Sequence, residues 1–344
     1  MSASSDIHQS LVLETIRQAY GLPVERITFL TTGWVSFCYR VETAAESYLL
    51  KLYDESGAMP APLLASSRDF YLPLTHQLCT SQLLSQIACP VQAQDGRFSI
   101  RAGPYRMILF HFIEGKPVGF GTLPDEITVK LAGLVGQLHK NTRSLQLANP
   151  LVERFEIAFE DVLPAGLDKL ANLGPGARAS LRAFQELILS HRSAIRGYLD
   201  RLKGLQAIMR TRARDMVVCH TDLHGGNLLV DSRGNLYILD WEGAMLSPPE
   251  QDLFFFAGED TFWDLFWPNY KREFGPAQLD VDTLAFYYYR RGLEDLAEWV
   301  QRFLYANQDD EQERSSLHWA AETLAGLPNV ETTLGKISAH LSHH

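Results

Sequence analysis

Between His220 and Asn227 the chain reads "HTDLHGGN": a His-x-Asp, a second histidine, two glycines and an asparagine. A turn-like "DSRGN" follows, and a second aspartate, Asp240, closes the apolar run "LYILD". A carboxylate can accept a hydroxyl proton, and carboxylate and amide oxygens are hard ligands that suit Mg²⁺. "NLLVD" and "LYILD" flank Ser232–Asn235, the pattern of a hairpin with its turn at the tip. If Asp231 pairs with Leu236, Asp240 lies opposite Asn227 and two oxygen donors stand side by side. Asp222 sits on the loop leading into that hairpin. Taken singly, each of these residues is also an ordinary turn or cap residue. The combination is what points to chemistry.

The arrangement suits phosphoryl transfer. The transferred group spreads negative charge over several oxygens, so it needs cations and positioning more than covalent help. One carboxylate would orient the acceptor hydroxyl, while an asparagine and a second carboxylate hold metal between phosphates. The spacing H-x-D-x-x-x-x-N is that of a kinase catalytic loop.

The elements around this stretch change character along the chain. "RITFLTTGWVSFCYRVET" reads as two strands around a loop at Thr31–Trp34, and "SYLLKLY" as a third. "SSRDFYLPLTHQLCTSQLLSQ" reads as a helix with Pro73 in its first turn or at a kink. "CPVQAQDGRFSIRAGPYRMILFHFI" supplies two or three more strands. After "EGKPVG" the pattern turns helical, with a start at Pro124–Asp125 and an apolar face of Ile127, Leu131, Leu134, Val135 and Leu138. A longer helical pattern spans about Ser180 to Arg212. The expectation is an α+β, two-lobed protein. A small β-rich N-terminal lobe covers 1–113 and a larger, mainly helical C-terminal lobe covers 114–344, with ligand held in the cleft.

Composition sets the outer limits. The 344 residues are 46% hydrophobic and 21% charged, ordinary for a globular protein. A net charge of -10 argues against nucleic acid as a partner and suits solubility or a cationic ligand. Cys38, Cys79, Cys89 and Cys219 form no CxxC pair and no zinc template, which reads as reduced thiols. The first ten residues show no signal pattern, and the longest apolar runs are too short to span a bilayer. A cytoplasmic protein without a membrane partner is expected.

"CHTDLHGGNLLV" with "YILDWEGAMLSPPEQDL" resembles the aminoglycoside phosphotransferase family, a small-molecule branch of the protein-kinase-like fold that includes choline kinases. "SYLLKLY" is similar to the strand carrying the phosphate-binding lysine, here Lys51, and "MILFHFIEGKPV" to the hinge that grips adenine, around Phe110 to Phe112. "FYYYRRGLEDLAEW" resembles the substrate-side helix of the spectinomycin phosphotransferase branch. The resemblance implies Asp222 as catalytic base, Asn227 and Asp240 as Mg²⁺ ligands, and Lys51 on the α/β-phosphates of ATP or GTP. It implies His220 bracing the loop and Asp252 anchoring it from the following helix. His224 stands where protein kinases often carry a lysine.

The chain departs from the pattern in instructive places. Its nucleotide loop offers only Gly33, beside Trp34. No glutamate occurs between Ser56 and Ile113, so Asp69, which opens the helical segment, is the best remaining acid to pair with Lys51, ahead of Asp95 in a turn. Trp241-Glu242 follow Asp240 in place of Phe-Gly, and Thr221 replaces the arginine that reads an activation-loop phosphate. His139 reads as a satisfied core histidine, and Trp263, Trp267 and Trp299 as core. Glu294, Asp295 and Glu298 cluster on one helix, either as a solvated face paired with Arg290 and Arg291 or as a site for a cationic acceptor. The function expected is transfer of the ATP γ-phosphate to a hydroxyl of a small molecule. An aminoglycoside, aminocyclitol or other amine-bearing alcohol leads, ahead of a choline-like or sugar-like metabolite. The alternative is a nucleotide-binding regulatory protein without turnover.

Overall fold

A computed structural model describes residues 3–32, 36–55, 61–305 and 310–342. In chain order come α1 (Ala3–Tyr20), β1 (Val24–Thr32), β2 (Phe37–Thr43), β3 (Ser47–Asp54), α2 (Ala61–Thr80), β4 (Ser99–Ala102), β5 (Tyr105–His111), β6 (Lys116–Pro117) and α3 (Asp125–Asn141). Then follow α4 (Val162–Ala171), α5 (Ala179–Ser190), α6 (Arg192–Thr211), β7 (Val217–Cys219), β8 (Leu228–Val230), β9 (Leu236–Ile238) and β10 (Met245–Ser247). The rest is helical: α7 (Glu250–Leu253), α8 (Trp267–Phe274), α9 (Val281–Tyr305), α10 (Asp310–Gly326) and α11 (Val330–Ser342). A small antiparallel sheet followed by a larger helical part is the α+β class expected from the sequence.

The chain divides into two compact units. The first holds residues 1–152, 217–246 and 265–275, and the expected lobe boundary at residue 113 falls inside it. Its main sheet has the order β1-β2-β3-β5-β4, so β3 is the central strand. Successive residues of a strand face opposite sides. Tyr48, Leu50 and Leu52 of β3, with Met107 and Leu109 of β5, join Val12, Ile16 and Tyr20 of α1 in one core. Those three helix residues recur every four positions, the spacing of one helical face. Leu49, Lys51 and Phe110 line the opposite side of the sheet.

One element of this unit is absent from the sequence pattern, and a second settles an alternative that the pattern leaves open. α1 adds a helix to the strand-rich first third. α2 starts at Ala61, so Pro73 lies in its interior rather than its first turn. Pro73 is exposed, and the Asp69 carbonyl it cannot bond can turn to water. α3 starts as its sequence indicates, with Pro124 as N-cap. His139 near its end is buried and bonded through Nδ1 to the Tyr270 hydroxyl at 2.9 Å.

The second unit holds residues 153–216, 247–264 and 276–344. The pattern from Ser180 to Arg212 is two helices, α5 and α6, which meet at His191. No proline or glycine marks that break, and the apolar residues keep helical spacing across it. α9 is the long core helix, burying Leu284, Phe286, Leu293, Leu296, Val300 and Phe303. The rings of Phe184 and Phe303 stack at 4.1 Å.

Candidate active site

Lys51 stands at the middle of the central strand, paired with Cys38 of β2 and Ile108 of β5. Only 9% exposed, it needs a compensating charge. Two carboxylates supply it. The Lys51 ammonium donates to Asp240 Oδ1 and to Glu242 Oε1, the latter at 2.6 Å. Glu242 also accepts from the Tyr53 hydroxyl at 2.7 Å, and its backbone carbonyl accepts from Ser67 Oγ of α2. Burial alone would lower the Lys51 pKa, but Glu242 and then Asp240 outweigh it and hold the ammonium above its ordinary value. Burial conversely works to raise Glu242, and Lys51 overcomes it to leave that carboxyl below its usual range. Tyr53 is pushed well up by burial and by Glu242. The recess around Lys51 is closed by Leu49, Tyr71, Phe110, Leu239 and Trp241.

Asp69 is not among Lys51's partners. Ser67 and Tyr71, one helical turn apart, face this site from α2, whereas Asp69 lies two positions from each and is exposed on the other side. The acid expected from the helix therefore comes from the loop after Asp240. Glu242 is a site residue that the spacing of Asp222, Asn227 and Asp240 does not mark. Its signal in the sequence is the D-x-E at 240–242, which places a second acid two residues after Asp240.

The loop from His220 to Asn227 is held by its own side chains. His220 is fully buried. Its Nε2 meets the Leu239 carbonyl at 2.7 Å and its Nδ1 accepts from the Asp222 backbone N–H at 3.3 Å. Together these bonds place the ring proton on Nε2. Thr221 adopts a left-handed φ of 76°, unusual for a β-branched residue, and its hydroxyl donates to the Gly243 carbonyl at 3.0 Å. Asn227 Nδ2 donates to the Asp222 carbonyl at 2.9 Å and to Asp222 Oδ2 at 3.0 Å. His224 Nε2 lies 3.3 Å from the same Oδ2. Asp222, His224 and Asn227 thus form one hydrogen-bonded group.

The hairpin that follows is one residue out of the expected register. Val230 pairs with Leu236 and Leu228 with Ile238, so Asn227 stands opposite Leu239, whose N–H donates to the Asn227 carbonyl at 2.8 Å. Asp231 is a turn residue and not a strand end. Its Oδ1 accepts from the N–H groups of Arg233 at 2.9 Å and Asn235 at 2.8 Å, and its Oδ2 from Asn235 Nδ2 at 2.8 Å. Asp240 then leaves strand geometry in a left-handed conformation, φ 60° and ψ 63°. Its carboxylate is thereby delivered to Lys51 by a local backbone twist rather than by strand register.

Other candidate residues fall elsewhere. Phe110 lines the recess, 5.9 Å from the Lys51 ammonium. Phe112 lies under the Arg40 guanidinium at 4.5 Å, with its N–H on the Ser47 carbonyl. Gly33 lies outside the described residues. Asp252 belongs to the second unit, buried in α7. Glu294, Asp295 and Glu298 sit on α9 of that unit. Asp295 pairs with Arg291 at 3.1 Å, yet burial outweighs that partner and pushes its carboxyl up to about 6. Arg290 is bound to Glu153 at 2.7 Å and to Gln251 at 2.6 Å. Glu294 keeps contact with water, but the surrounding protein raises its carboxyl against the pull of Arg290 and Arg291.

Residues 26–299 match the phosphotransferase enzyme family. Protein StrN of Streptomyces griseus is 24% identical over 258 residues, 70% of this chain and 74% of that protein. The structure of spectinomycin phosphotransferase APH(9)-Ia in complex with ADP and spectinomycin superposes with a TM-score of 0.73 at 20% identity, covering 96% of this chain and 98% of that one. Choline kinase LicA from Streptococcus pneumoniae superposes at 0.57 with 16% identity, covering 92% and 98%.

Proposed function

The chain belongs to the phosphotransferase enzyme family and is a small-molecule kinase; from that premise we propose that it moves the γ-phosphate of ATP, with Mg²⁺, onto a hydroxyl of an amine-bearing alcohol such as an aminoglycoside or aminocyclitol. The observation that carries the reading is the Asp222 carboxylate, bonded through Oδ2 by Asn227 in the same compact unit as the Lys51–Asp240 pair. In this reading Asp222 accepts the acceptor's hydroxyl proton as that oxygen bonds to the γ-phosphorus. The bond from phosphorus to the bridging oxygen breaks and ADP leaves. Lys51 exchanges a carboxylate partner for phosphate oxygens, a small change for an ammonium already held charged.

The donor set fits a hard divalent cation. Asn227 spends its amide nitrogen on Asp222, which leaves its oxygen as the ligand atom, and the Asp240 side chain is 51% exposed. Asn227 and Asp240 would hold Mg²⁺, which supplies charge neutralisation between the phosphates. The recess lined by Lys51 and Phe110 takes the nucleotide. Support for a nucleotide and for an amine-bearing acceptor comes from the ligands named for spectinomycin phosphotransferase and from the choline kinase likeness. Glu294 and Glu298, four apart on α9 and both exposed, suit a cationic acceptor. Among the described residues no helix is long and apolar enough to cross a membrane, and a cytoplasmic kinase is the reading that goes with this.

The test is ATP, Mg²⁺ and a panel of amino alcohols, aminocyclitols and aminoglycosides. Asp222→Asn should lower kcat about 10²- to 10⁴-fold while ATP still binds. Undiminished transfer by that variant would remove Asp222 from the role of base. Nucleotide binding with no transfer to any acceptor would favour a regulatory protein instead.

A further inference from the structure

Phe120 is 74% exposed, an uncommon placement for a phenyl ring. A lone surface aromatic needs no explanation, but this one is built into place. The segment before it runs along the catalytic hairpin: Lys116 and Pro117 pair with Val230 and Leu229, and the Val118 N–H donates to the Leu228 carbonyl at 2.9 Å. The Gly119 N–H then reaches the Gly225 carbonyl at 3.1 Å, inside the loop that carries Asp222. Gly119 and Gly121 flank the ring with φ of 87° and 113°, values that glycine adopts without strain. The ring so presented stacks on His224, centroids 5.1 Å apart and planes 29° from parallel. Gly226 leaves room for the stack, because a side chain there would meet both the His224 ring and Phe120 at 2.9 Å.

His224 links that stack to Asp222. Its Nδ1 accepts from the Gly226 N–H at 3.1 Å, so the ring proton lies on Nε2, which faces Asp222 Oδ2 at 3.3 Å. Asn227 Nδ2 also lies 3.5 Å from Nε2, but a protonated Nε2 offers it no lone pair, and its closer bonds are to two oxygens of Asp222. We propose that Phe120 is a positioning residue for phosphoryl transfer: its ring fixes the imidazole plane of His224, and His224 in turn orients the Asp222 carboxylate toward the acceptor hydroxyl. This rests on Asp222 being the base. Without Phe120, the His224 imidazole still accepts from the Gly226 N–H but loses the ring stacked on its face, and Oδ2 loses a donor held in register.

The experiment uses the full chain with three variants, Phe120→Ala, Phe120→Trp and His224→Gln. Because Phe120 is exposed, its replacement should leave the thermal midpoint and the KM for ATP unchanged. Phe120→Ala should lower kcat by about ten- to a hundredfold, the scale of a misplaced catalytic group, and Phe120→Trp should restore most of it. Histidine-labelled protein gives a readout independent of turnover. The imidazole resonance missing in His224→Gln should shift in Phe120→Ala and return toward its native position in Phe120→Trp. An unmoved resonance, an unchanged kcat, or a loss shared equally by ATP binding would overturn the proposal. If the native chain transfers phosphate to no acceptor, the base assignment fails and the positioning proposal with it, whereas a shifted resonance would still establish the stack.

Discussion

Asp240 and Glu242 reach one ammonium from either side of Trp241, and that arrangement fixes what single substitutions should do. Glu242→Gln leaves the buried Lys51 with one full charge partner and weakens the bond to Tyr53. It should cost about 1–3 kcal/mol of stability, read from thermal or urea unfolding. Asp69→Asn, on the exposed face of α2, should stay within about 0.5 kcal/mol of wild type. Equal losses in the two variants would contradict the pairing. Asp295 gives a pH signature. Its folded-state pKa, about 6, is raised above the ordinary value of 3.8, so the native protein favours its protonated form. The stability this gives is full below pH 3.8 and is lost as pH rises through about 6. Asp295→Asn should therefore raise the thermal midpoint at neutral pH and remove that part of the decline, whereas an identical pH profile would refute it. The spacing of Asp222, Asn227 and Asp240 was legible because it is local. The Lys51–Glu242 contact was not, because it joins positions far apart in the chain and depends on which face of α2 turns inward.

Elements were readable wherever periodicity and turn chemistry agreed. β3 announced itself through its apolar run, and α3 through Pro124 and a helical apolar face. The hairpin register slipped because Asp231 carries a side chain equally at home at a strand end or in a turn. Its two oxygens close the turn from within, and that closure sets the pairing of Val230 with Leu236. Asp231→Ala should speed amide exchange at Leu229 and Leu239, whose N–H groups face the partner strand, ahead of the rest of the sheet, measured by hydrogen exchange; unchanged protection there would show that the turn does not hold the register. Because Leu239 bonds to Asn227, a loosened hairpin should also reduce phosphate transfer. α5 and α6 show the opposite failure. Their apolar positions continue in phase through His191, so periodicity alone joins two helices into one.

At the scale of the molecule, composition and element order gave the α+β class, while the division into compact units depends on which segments return to pack together. The net charge of -10 is the global property with a kinetic consequence. If the acceptor is cationic, its KM should rise several-fold as ionic strength goes from about 0.05 M to about 0.3 M, since the Debye length shortens. The KM for a neutral acceptor analogue should stay level, and parallel changes for both would argue against electrostatic attraction. The central strand carries one more consequence. Leu50 and Leu52 hold α1 to the sheet, while Lys51 between them faces the recess. Over evolutionary time β3 can exchange one apolar side chain for another, but it cannot gain or lose a single residue. Such a change would turn the lysine into the core and the leucines into the site at one stroke. The lineages that carry this strand should therefore vary in its letters and never in its count.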